Sequence, residues 1–406
     1  MEGKLLPWFK ENRTKIANCL FYIALTIELV LMIVEKSEIS FSYESYVFRA
    51  TFLLTLLAVI VMKHNLKEWA VIAVILVIAA YSYVASGKND MLRLALFVMA
   101  ARDIDLKKTM KYTFYLCLVG VLAIALLAVT GLVGDVALTA DYGRKVGVET
   151  RYVFGFGHPN TLFSSVYALL LMWIWTYGKR AGVLPYLVAI ASAVMLIFLT
   201  DSRTGMLILV VTMALAIVCR FVKKLSQMHW PYILTAVCVG LVGVVLPIIA
   251  ARAADLVYTH GNPFGNKFWR FERLVNFRVS NLYYGADNYM ALLKNWKLFA
   301  PRGNESYFDI GWVRLFYWYG IIPTAIIIAV IMLVIYQSMK ERDIWALILI
   351  VSLTIYTLVE ATFVTRYLGR DFFLLIAGVY LGRFFADLFR NKDKKDTKDM
   401  KGATNA

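Results

Sequence analysis

The apolar residues of this chain fall in long blocks rather than in the periodicities of 2.0 or 3.6 that mark amphipathic strands and helices. The segment 233–250, ILTAVCVGLVGVVLPIIA, is apolar on every side of a helix. Lipid is the natural solvent of such a helix. With 61% hydrophobic and 17% charged residues among 406, the composition is that of a membrane protein. We therefore predict an all-α polytopic membrane protein.

Hydropathy divides the chain into a single membrane domain, 1–389, and a charged cytoplasmic tail, 390–406, that we expect to be disordered. Twelve membrane crossings are predicted to begin near Ile16, Tyr46, Ala70, Met91, Tyr112, Asn160, Val183, Gly205, Pro231, Trp312, Ile344 and Asp371. The fourth, 91–101, would be only about 16 Å long as a helix. It is either a short crossing or a re-entrant segment, and the charges of the later loops favour the crossing.

Lysine and arginine assign a side of the membrane to each loop. Cytoplasmic loops are rich in both residues. The loops with this character are 63–68, 102–108, 178–180, 220–224 and 339–342, and the tail shares it. Both termini are then cytoplasmic, and three regions face outward: 133–159, the junction at 201–205, and a long loop over 251–311 that we expect to contain short helices.

Arginine is concentrated on the outer side of this topology, against the usual charge distribution. Thirteen of the arginines but only six of the lysines fall there. A guanidinium offers a planar fork that binds phosphate oxygens in a bidentate manner, whereas lysine is a hydrated point charge. The set therefore indicates a phosphate ligand. The alternative for any single arginine is a lipid headgroup or an ion pair with an outer carboxylate: Asp201, Asp255, Glu272, Asp287, Asp309, Glu360 or Asp371.

Two further placements of charge lead to structural expectations. If 268–284 is one helix, then Arg270, Arg273 and Arg278 fall within about 140° of arc and face one anion. Glu28 and Arg93 lie inside predicted crossings, where an unpaired ion is costly. Glu28 is expected to pair across the bundle with an arginine of the outer half.

Four features occur in a recognisable order along the chain. They are RYVFGFGHPNTL (151–162) entering a helix, DSRTG (201–205) at the outer start of the eighth crossing, the long outer loop, and FDIGWVRLFYWYGIIP (308–323). In this order and topology, over most of its length, the chain resembles the superfamily of O-antigen polymerases and ligases.

The resemblance implies a glycosyltransferase of the outer face of the cytoplasmic membrane. Donor and acceptor would be polyprenyl-pyrophosphate-linked glycans, with no nucleotide sugar, cofactor or required metal. Expected partners are membrane lipids and other polysaccharide assembly proteins, with no role for nucleic acid. Fixed guanidiniums can stabilise the departing pyrophosphate, as a metal does in other transferases. Transfer from lipid pyrophosphate would invert the anomeric configuration.

The acceptor hydroxyl needs a base, and the outer carboxylates and histidines supply the candidates. Ligases of the superfamily typically carry a histidine near the end of the long loop, where this chain has Glu305 and Asp309. That departure favours polymerisation, with Asp309 or Glu305 as the base. His158 and His260, the two outward histidines, are less favoured bases, and His158 also suits a helix-capping role beside Pro159.

Arg203 is the first choice as a pyrophosphate ligand because it begins a helix whose positive dipole end points outward. Arg278, Arg273 and Arg270 follow, with Arg151 as a further candidate. An ion pair between Arg203 and Asp201 is the alternative.

Two other functions remain open. A ligase of the same superfamily differs only in its acceptor. A polysaccharide or lipid transporter also suits twelve helices, but usually shows internal repeats and broken helices with polar groups near the midplane. No repeat is visible here.

Overall fold

A computed structural model describes residues 2–140, 148–261, 263–274, 277–284, 291–361, 364 and 368–403 of the chain. Its helices are α1 (Glu2–Glu35), α2 (Glu44–Val61), α3 (Leu66–Ser86), α4 (Asp90–Ala100), α5 (Leu106–Val129), α6 (Pro159–Trp173), α7 (Val183–Thr200), α8 (Arg203–Phe221), α9 (Trp230–Gly240), α10 (Leu246–His260), α11 (Gly265–Leu274), α12 (Asn281–Tyr284), α13 (Gly311–Trp318), α14 (Ile321–Glu341), α15 (Ile344–Val359) and α16 (Leu368–Ala403).

Ten helical segments of the described chain are long and apolar enough to cross a membrane, which confirms a multi-pass membrane protein built of helices. Each predicted crossing corresponds to a helix, but two of these helices are short. The fourth is the 11-residue α4, and the eleventh is the 16-residue apolar α15. The tenth begins later than expected, at Ile321, because α13 is a separate helix that ends before Gly320.

Contacts between loops sort the helix ends into two groups. At the basic end, Arg102 Nη2 donates to Lys63 O at 2.7 Å, and Arg220 Nε donates to Ala181 O at 3.0 Å. At the opposite end, Asn160 Nδ2 donates to Glu360 Oε1 at 3.0 Å. The sequence motifs around 151–162, 201–205 and 308–311 lie at this second end, hereafter the motif end.

The short helix α4 connects the two ends. Just before it, Lys88 lies 5.4 Å from the ring of Trp318 at the motif end. Just after it, Arg102 reaches Lys63 at the basic end. A re-entrant segment would return the chain to the motif end, so these contacts favour the crossing.

The expected pairing of Glu28 is confirmed, and its partner is Arg93. The Arg93 Nη2 atom donates to both Glu28 carboxylate oxygens, at 2.8 and 3.0 Å, and Thr51 donates a further hydrogen bond to this carboxylate. The guanidinium also lies 4.0 Å from the ring of Phe48. The half-buried charges of α1 and α4 therefore neutralise each other next to α2.

Two irregularities depart from a purely helical prediction. A two-stranded antiparallel sheet, β1 (Ala137–Ala140) and β2 (Glu149–Tyr152), precedes α6. Helices α9 and α10 form one run through a π-helical turn, Leu241–Val245. Pro247 follows this turn, and because proline has no N–H, it removes one helical hydrogen bond and favours such a local widening.

Helix α16 continues through the charged tail to Ala403, and disorder of this tail stays a prediction. Lysine is a good helix former, and neither proline nor glycine occurs between Arg383 and Lys401 to stop the helix. At the other boundary, the long region begins only after His260 because α10 extends to that residue. The short helices expected within it are α11 and α12.

Candidate functional site

The motifs named from the sequence converge at the motif end. Asn160, at the start of α6, binds Glu360, which immediately follows α15. Arg151 on β2 lies 3.5 Å from a carboxylate oxygen of Asp201, the residue between α7 and α8. Hydrogen bonding between Ser164 and Tyr356, at 2.6 Å, joins α6 to α15 one turn below.

Two glycines of these motifs allow the backbones to approach this closely. A Cβ atom on Gly205 would lie 2.5 Å from the Phe163 ring. A Cβ atom on Gly311 would lie 2.7 Å from Thr357 O and 2.9 Å from Glu360 O. Real Cβ contacts are longer than this, so DSRTG and FDIGWV use glycine to bring α8 against α6 and α13 against the end of α15.

Arg278 lies at the centre of the site and is buried. Its Nε atom lies 3.7 Å from Asp309 Oδ2, and its Nη2 atom lies 3.7 Å from Glu360 Oε1. The arginine therefore bridges two carboxylates that come from different segments, one before α13 and one after α15.

A reversal of the chain after α11 presents Arg278 to these carboxylates. Phe277 adopts a left-handed backbone with φ +55°, and its N–H donates to Glu272 O at 2.8 Å. The fully buried carboxylate of Glu272 accepts from Val279 N at 3.3 Å and Ser280 N at 2.7 Å. A single carboxylate thus accepts hydrogen bonds from two backbone N–H groups after the reversal.

Arg314 on α13 is a second buried arginine of the site. Its guanidinium carbon lies 3.7 Å from the centre of the Tyr307 ring, and its Nη2 donates to Phe308 O. In the described part of the chain, Nε and Nη1 have no hydrogen-bond acceptor. Burial lowers the pKa of Arg314, while Tyr307, Asp309 and Glu360 oppose this effect. The charge of Arg314 therefore acts on both carboxylates, in addition to that of Arg278.

Glu360 has the most perturbed carboxyl of the site. Burial, followed by the negative charge of Asp309, raises the pKa of Glu360 to about 7. The positive charges of Arg278 and Arg314 act in the opposite direction. A carboxyl with this pKa exchanges a proton near neutral pH, which suits general acid–base chemistry.

His158 caps α6, as the alternative reading of the sequence proposed. Its Nδ1 accepts the N–H of Asn160 at 3.1 Å. Burial and the positive charge of Arg151 lower the pKa of His158, opposed by Asp309. The neutral ring must carry its proton on Nε2, because Nδ1 is an acceptor. His158 can therefore donate a hydrogen bond from Nε2, but that nitrogen cannot accept a proton.

Of the arginines predicted to bind pyrophosphate, Arg278 and Arg151 are buried among these groups. Arg203 is the first residue of α8 and is exposed. The carboxylate suggested as its partner, Asp201, contacts Arg151 instead. Arg151 also binds Glu149 of the same strand at 2.7 Å, and its contact with Asp201 ties β2 to this end of the bundle.

The condition for a common arginine face, one helix over 268–284, is not met, because α11 ends at Leu274 and Phe277 has a left-handed backbone. Arg270 and Arg273 therefore lie exposed on α11 while Arg278 is buried beyond the break. The three arginines do not share a helix face.

Two base candidates have other surroundings. Glu305 is exposed, and its carboxylate interacts electrostatically with the amine of Lys88. His260 ends α10, and its Nδ1 bonds the hydroxyl of Thr259 at 2.7 Å. Two further outer arginines, Arg144 and Arg366, lie outside the described residues.

Ion pairing, the alternative for single outer arginines, is confirmed at several positions. Pairs join Arg151 to Asp201, Arg252 to Asp255, Arg278 to Asp309 and Glu360, and Arg370 to Asp371. The sequence indicated Glu360 only as such a partner, and Arg314 is one of the thirteen arginines counted on the outer side. The sequence signal for Arg314 is a charged residue inside the otherwise apolar segment GWVRLFYW (311–318). A charge that is buried with such a segment requires a partner that compensates for the loss of water.

Across the described ranges, no group of three His, Cys, Asp or Glu side chains is arranged to hold a metal ion. Comparison of the chain with models of protein families, with curated proteins and with solved structures finds no match.

Proposed function

We propose that this protein is a membrane glycosyltransferase that polymerises polyprenyl-pyrophosphate-linked oligosaccharide units on the outer face of the cytoplasmic membrane. The observation that carries the proposal is Arg278, a buried guanidinium between Asp309 and Glu360 with Arg314 beside them. Fixed cations and ionisable carboxyls are the two requirements of glycosyl transfer from a pyrophosphate. The motif end is then the outer end, and the basic end is cytoplasmic.

The cations would stabilise the leaving group. The contacts of Arg278 with Asp309 and Glu360 are each 3.7 Å, longer than the roughly 2.8 Å of a charge-assisted hydrogen bond. A pyrophosphate oxygen could therefore compete with a carboxylate for this guanidinium. The buried N–H groups of Arg314 and the exposed guanidinium of Arg203 at the dipole end of α8 would add positive charge on either side.

The carboxyl pair would accept the proton of the attacking hydroxyl. The nonreducing-end hydroxyl of an acceptor unit attacks the anomeric carbon of the donor glycan, forming the new C–O bond. The bond from that carbon to the pyrophosphate oxygen breaks, its electron pair leaves with the lipid pyrophosphate, and the configuration inverts. Glu360 or Asp309 takes the hydroxyl proton, since the pKa of Glu360 lies near 7. The Nε2–H of His158 would donate to a sugar or phosphate oxygen.

Purified protein incubated with a synthetic polyprenyl-pyrophosphate repeat unit tests the proposal. We expect a ladder of products whose spacing is one repeat unit. The Arg278→Gln and Asp309→Asn variants should lose the ladder, whereas Arg270→Gln, at an exposed arginine, should keep it. No ladder from folded wild-type protein, with the unit instead moved across proteoliposomes, would establish a transporter. A native rate for Asp309→Asn would exclude this carboxyl as base.

A further inference from the structure

An apolar cleft of about 200 Å³ lies between α3, α4, α14 and α16. Its walls include Ile75 and Ile78 of α3, Leu94 of α4, Ile327 of α14 and Phe373 of α16. Helix α4 has only 11 residues, so the longer helices around it are not fully covered by its side chains. The space between them is lined almost wholly by hydrocarbon.

The cleft extends over most of the depth of the membrane domain. Arg370 and Pro323 line it near the motif end, and His64, Arg102 and Phe389 line it near the basic end. From Arg370 to Phe389, α16 rises about 28 Å. The hydrocarbon core of a bilayer is about 30 Å thick, so each leaflet supplies about half that depth. The cleft is thus longer than one leaflet is thick. A hydrocarbon chain that filled it would be longer than an ordinary acyl chain.

The buried guanidinium of Arg370 lies at the motif end of this cleft. Arg370 is 6% exposed, and its Nε pairs with Asp371 Oδ1 at 3.3 Å. Its Nη1 atom has no hydrogen-bond partner within the part of the chain that the structure describes. An unsatisfied buried N–H of a guanidinium is costly, and a phosphate oxygen would satisfy it.

Arg370 and the Arg278 site lie at opposite ends of α13. Asp309 and Arg278 are next to the first turn of α13, whereas Arg370 lies near Tyr319, the residue after its last turn. Eight helical residues span about 12 Å. Two phosphate-binding positions at this separation cannot hold the same pyrophosphate.

A polymerase needs two such positions. Both substrates carry a lipid pyrophosphate at the reducing end, but the acceptor reacts through a hydroxyl at its opposite end. When that hydroxyl reaches the anomeric carbon of the donor, the acceptor's own pyrophosphate lies one repeat unit away. We infer that the α3–α4–α14–α16 cleft binds the polyisoprenyl chain of the acceptor lipid, with its phosphate at Arg370. The identification of this lipid as acceptor rests on the proposed function.

Photocrosslinking tests the cleft directly. The probe is a polyprenyl monophosphate with a diazirine in its isoprenoid chain, added to the purified protein in detergent or nanodiscs. We expect adducts on α3, α4, α14 and α16. Ile78→Trp should reduce them at least tenfold, because Ile78 lines the cleft. Val77→Trp, on the adjacent exposed position of α3, is the matched control and should leave them unchanged.

The role of Arg370 is tested with a second pair of variants and a second probe. Arg370→Gln should weaken capture of the phosphate probe at least tenfold, Arg370→Lys should retain most of it, and unphosphorylated polyprenol should be captured weakly by the wild type. Size-exclusion profiles check the fold of Arg370→Gln, which leaves Asp371 buried. Absence of adducts on α3, α4, α14 and α16, or displacement of the probe by an equal amount of two-chain phospholipid, would overturn the inference.

Activity distinguishes failure of this inference from failure of the proposed function. A product ladder with unchanged KM for the repeat unit in Ile78→Trp would overturn the cleft assignment and leave polymerisation standing. Cleft adducts without any ladder would refute polymerisation, and with it the identification of the lipid as acceptor. The expected result is a ladder with a KM for the repeat unit raised at least tenfold in Ile78→Trp and not in Val77→Trp.

Discussion

The protonation of Glu360 is the property of the site that can be tested most directly. Its pKa rises from the ordinary 4.5 to about 7, chiefly through burial and then through Asp309. At about 1.4 kcal/mol for each tenfold change in acidity, the environment favours the protonated carboxyl by about 3 kcal/mol. We therefore expect the carboxyl to be about half protonated at neutral pH.

Removing the neighbouring charge should move this titration. In Asp309→Asn the like charge is gone, while Arg278 and Arg314 remain, so the pKa of Glu360 falls below 7. In Arg278→Gln an opposing positive charge is lost, and the pKa rises instead. Infrared difference spectra recorded against pH follow the protonated-carboxyl band, which Glu360→Gln should remove. Glu305→Gln, at an exposed carboxyl, is the control and should leave the midpoint unchanged.

The same titration sets a pH dependence of stability. The carboxyl holds its proton more tightly in the folded protein than in the unfolded one, so its stabilising effect is complete below pH 4.5. It is lost as the pH rises to about 7, and Glu360→Gln should remove this dependence. Activity should rise over the same interval if Glu360 is the base. A midpoint near 4.5, or one that Asp309→Asn does not move, would refute the reasoning.

Three further predictions concern how the fold positions the site. Gly311→Ala should lower the free energy of unfolding by about 1–3 kcal/mol through backbone clashes, whereas Gly240→Ala, with open space around it, should not; thermal unfolding in detergent compares them. Glu28→Gln should lower the free energy of unfolding by about 3 kcal/mol, because Arg93 loses its half-buried carboxylate partner, and equal stability of the variant and wild type would contradict this. Glu272→Ala should expose the reversal after α11 to limited proteolysis, with unchanged cleavage as the contrary result.

Much of the helical architecture follows from the sequence because the apolar blocks must avoid water. Most of the predicted crossings begin within a few residues of a helix start, and the short α4 is one of them. The shortened tenth crossing was not foreseen, since α13 has an aromatic, apolar composition that continues smoothly into α14. The separation is made by Gly320, whose φ of +103° and close approach to Leu298 O suit only glycine.

The site itself was predicted in part. Arg278 and Asp309 could be named because each is a phosphate-binding or proton-accepting residue in an outer segment. Their direct contact could not be, because it requires the reversal at Phe277, a non-glycine residue in the left-handed region. That conformation is held by Glu272, which binds backbone groups seven and eight residues later. Local propensity carries no information about such a carboxylate–backbone arrangement.

Glu360 was named only as an ion-pair partner because its role depends on distant residues. It follows an apolar helix, where a carboxylate at the boundary is unremarkable in sequence. Its raised pKa arises first from burial and then from the negative charge of Asp309, about fifty positions earlier. The sequence provides the ionisable groups, whereas the fold determines which of them lie close enough to change one another's pKa.

The electrostatic interaction between Arg278 and Glu360 predicts a coupling between donor binding and pH. A pyrophosphate bound at Arg278 adds negative charge beside Glu360 and offsets the cations that favour its ionised form. Binding therefore raises the pKa of Glu360 further, which makes the ionised carboxylate a stronger base toward the acceptor hydroxyl. By linkage, raising the pH through 7 must weaken donor binding by the same free energy.

Isothermal titration of a lipid-pyrophosphate analogue with a short isoprenoid chain, repeated from pH 5.5 to 8.5, measures this coupling. We expect Kd to increase with pH in the wild type and to be much less dependent on pH in Glu360→Gln. Glu305→Gln should behave as the wild type, because Glu305 is exposed and faces Lys88. If the pH dependence persists in Glu360→Gln, another group carries the proton and the pyrophosphate does not bind beside Glu360.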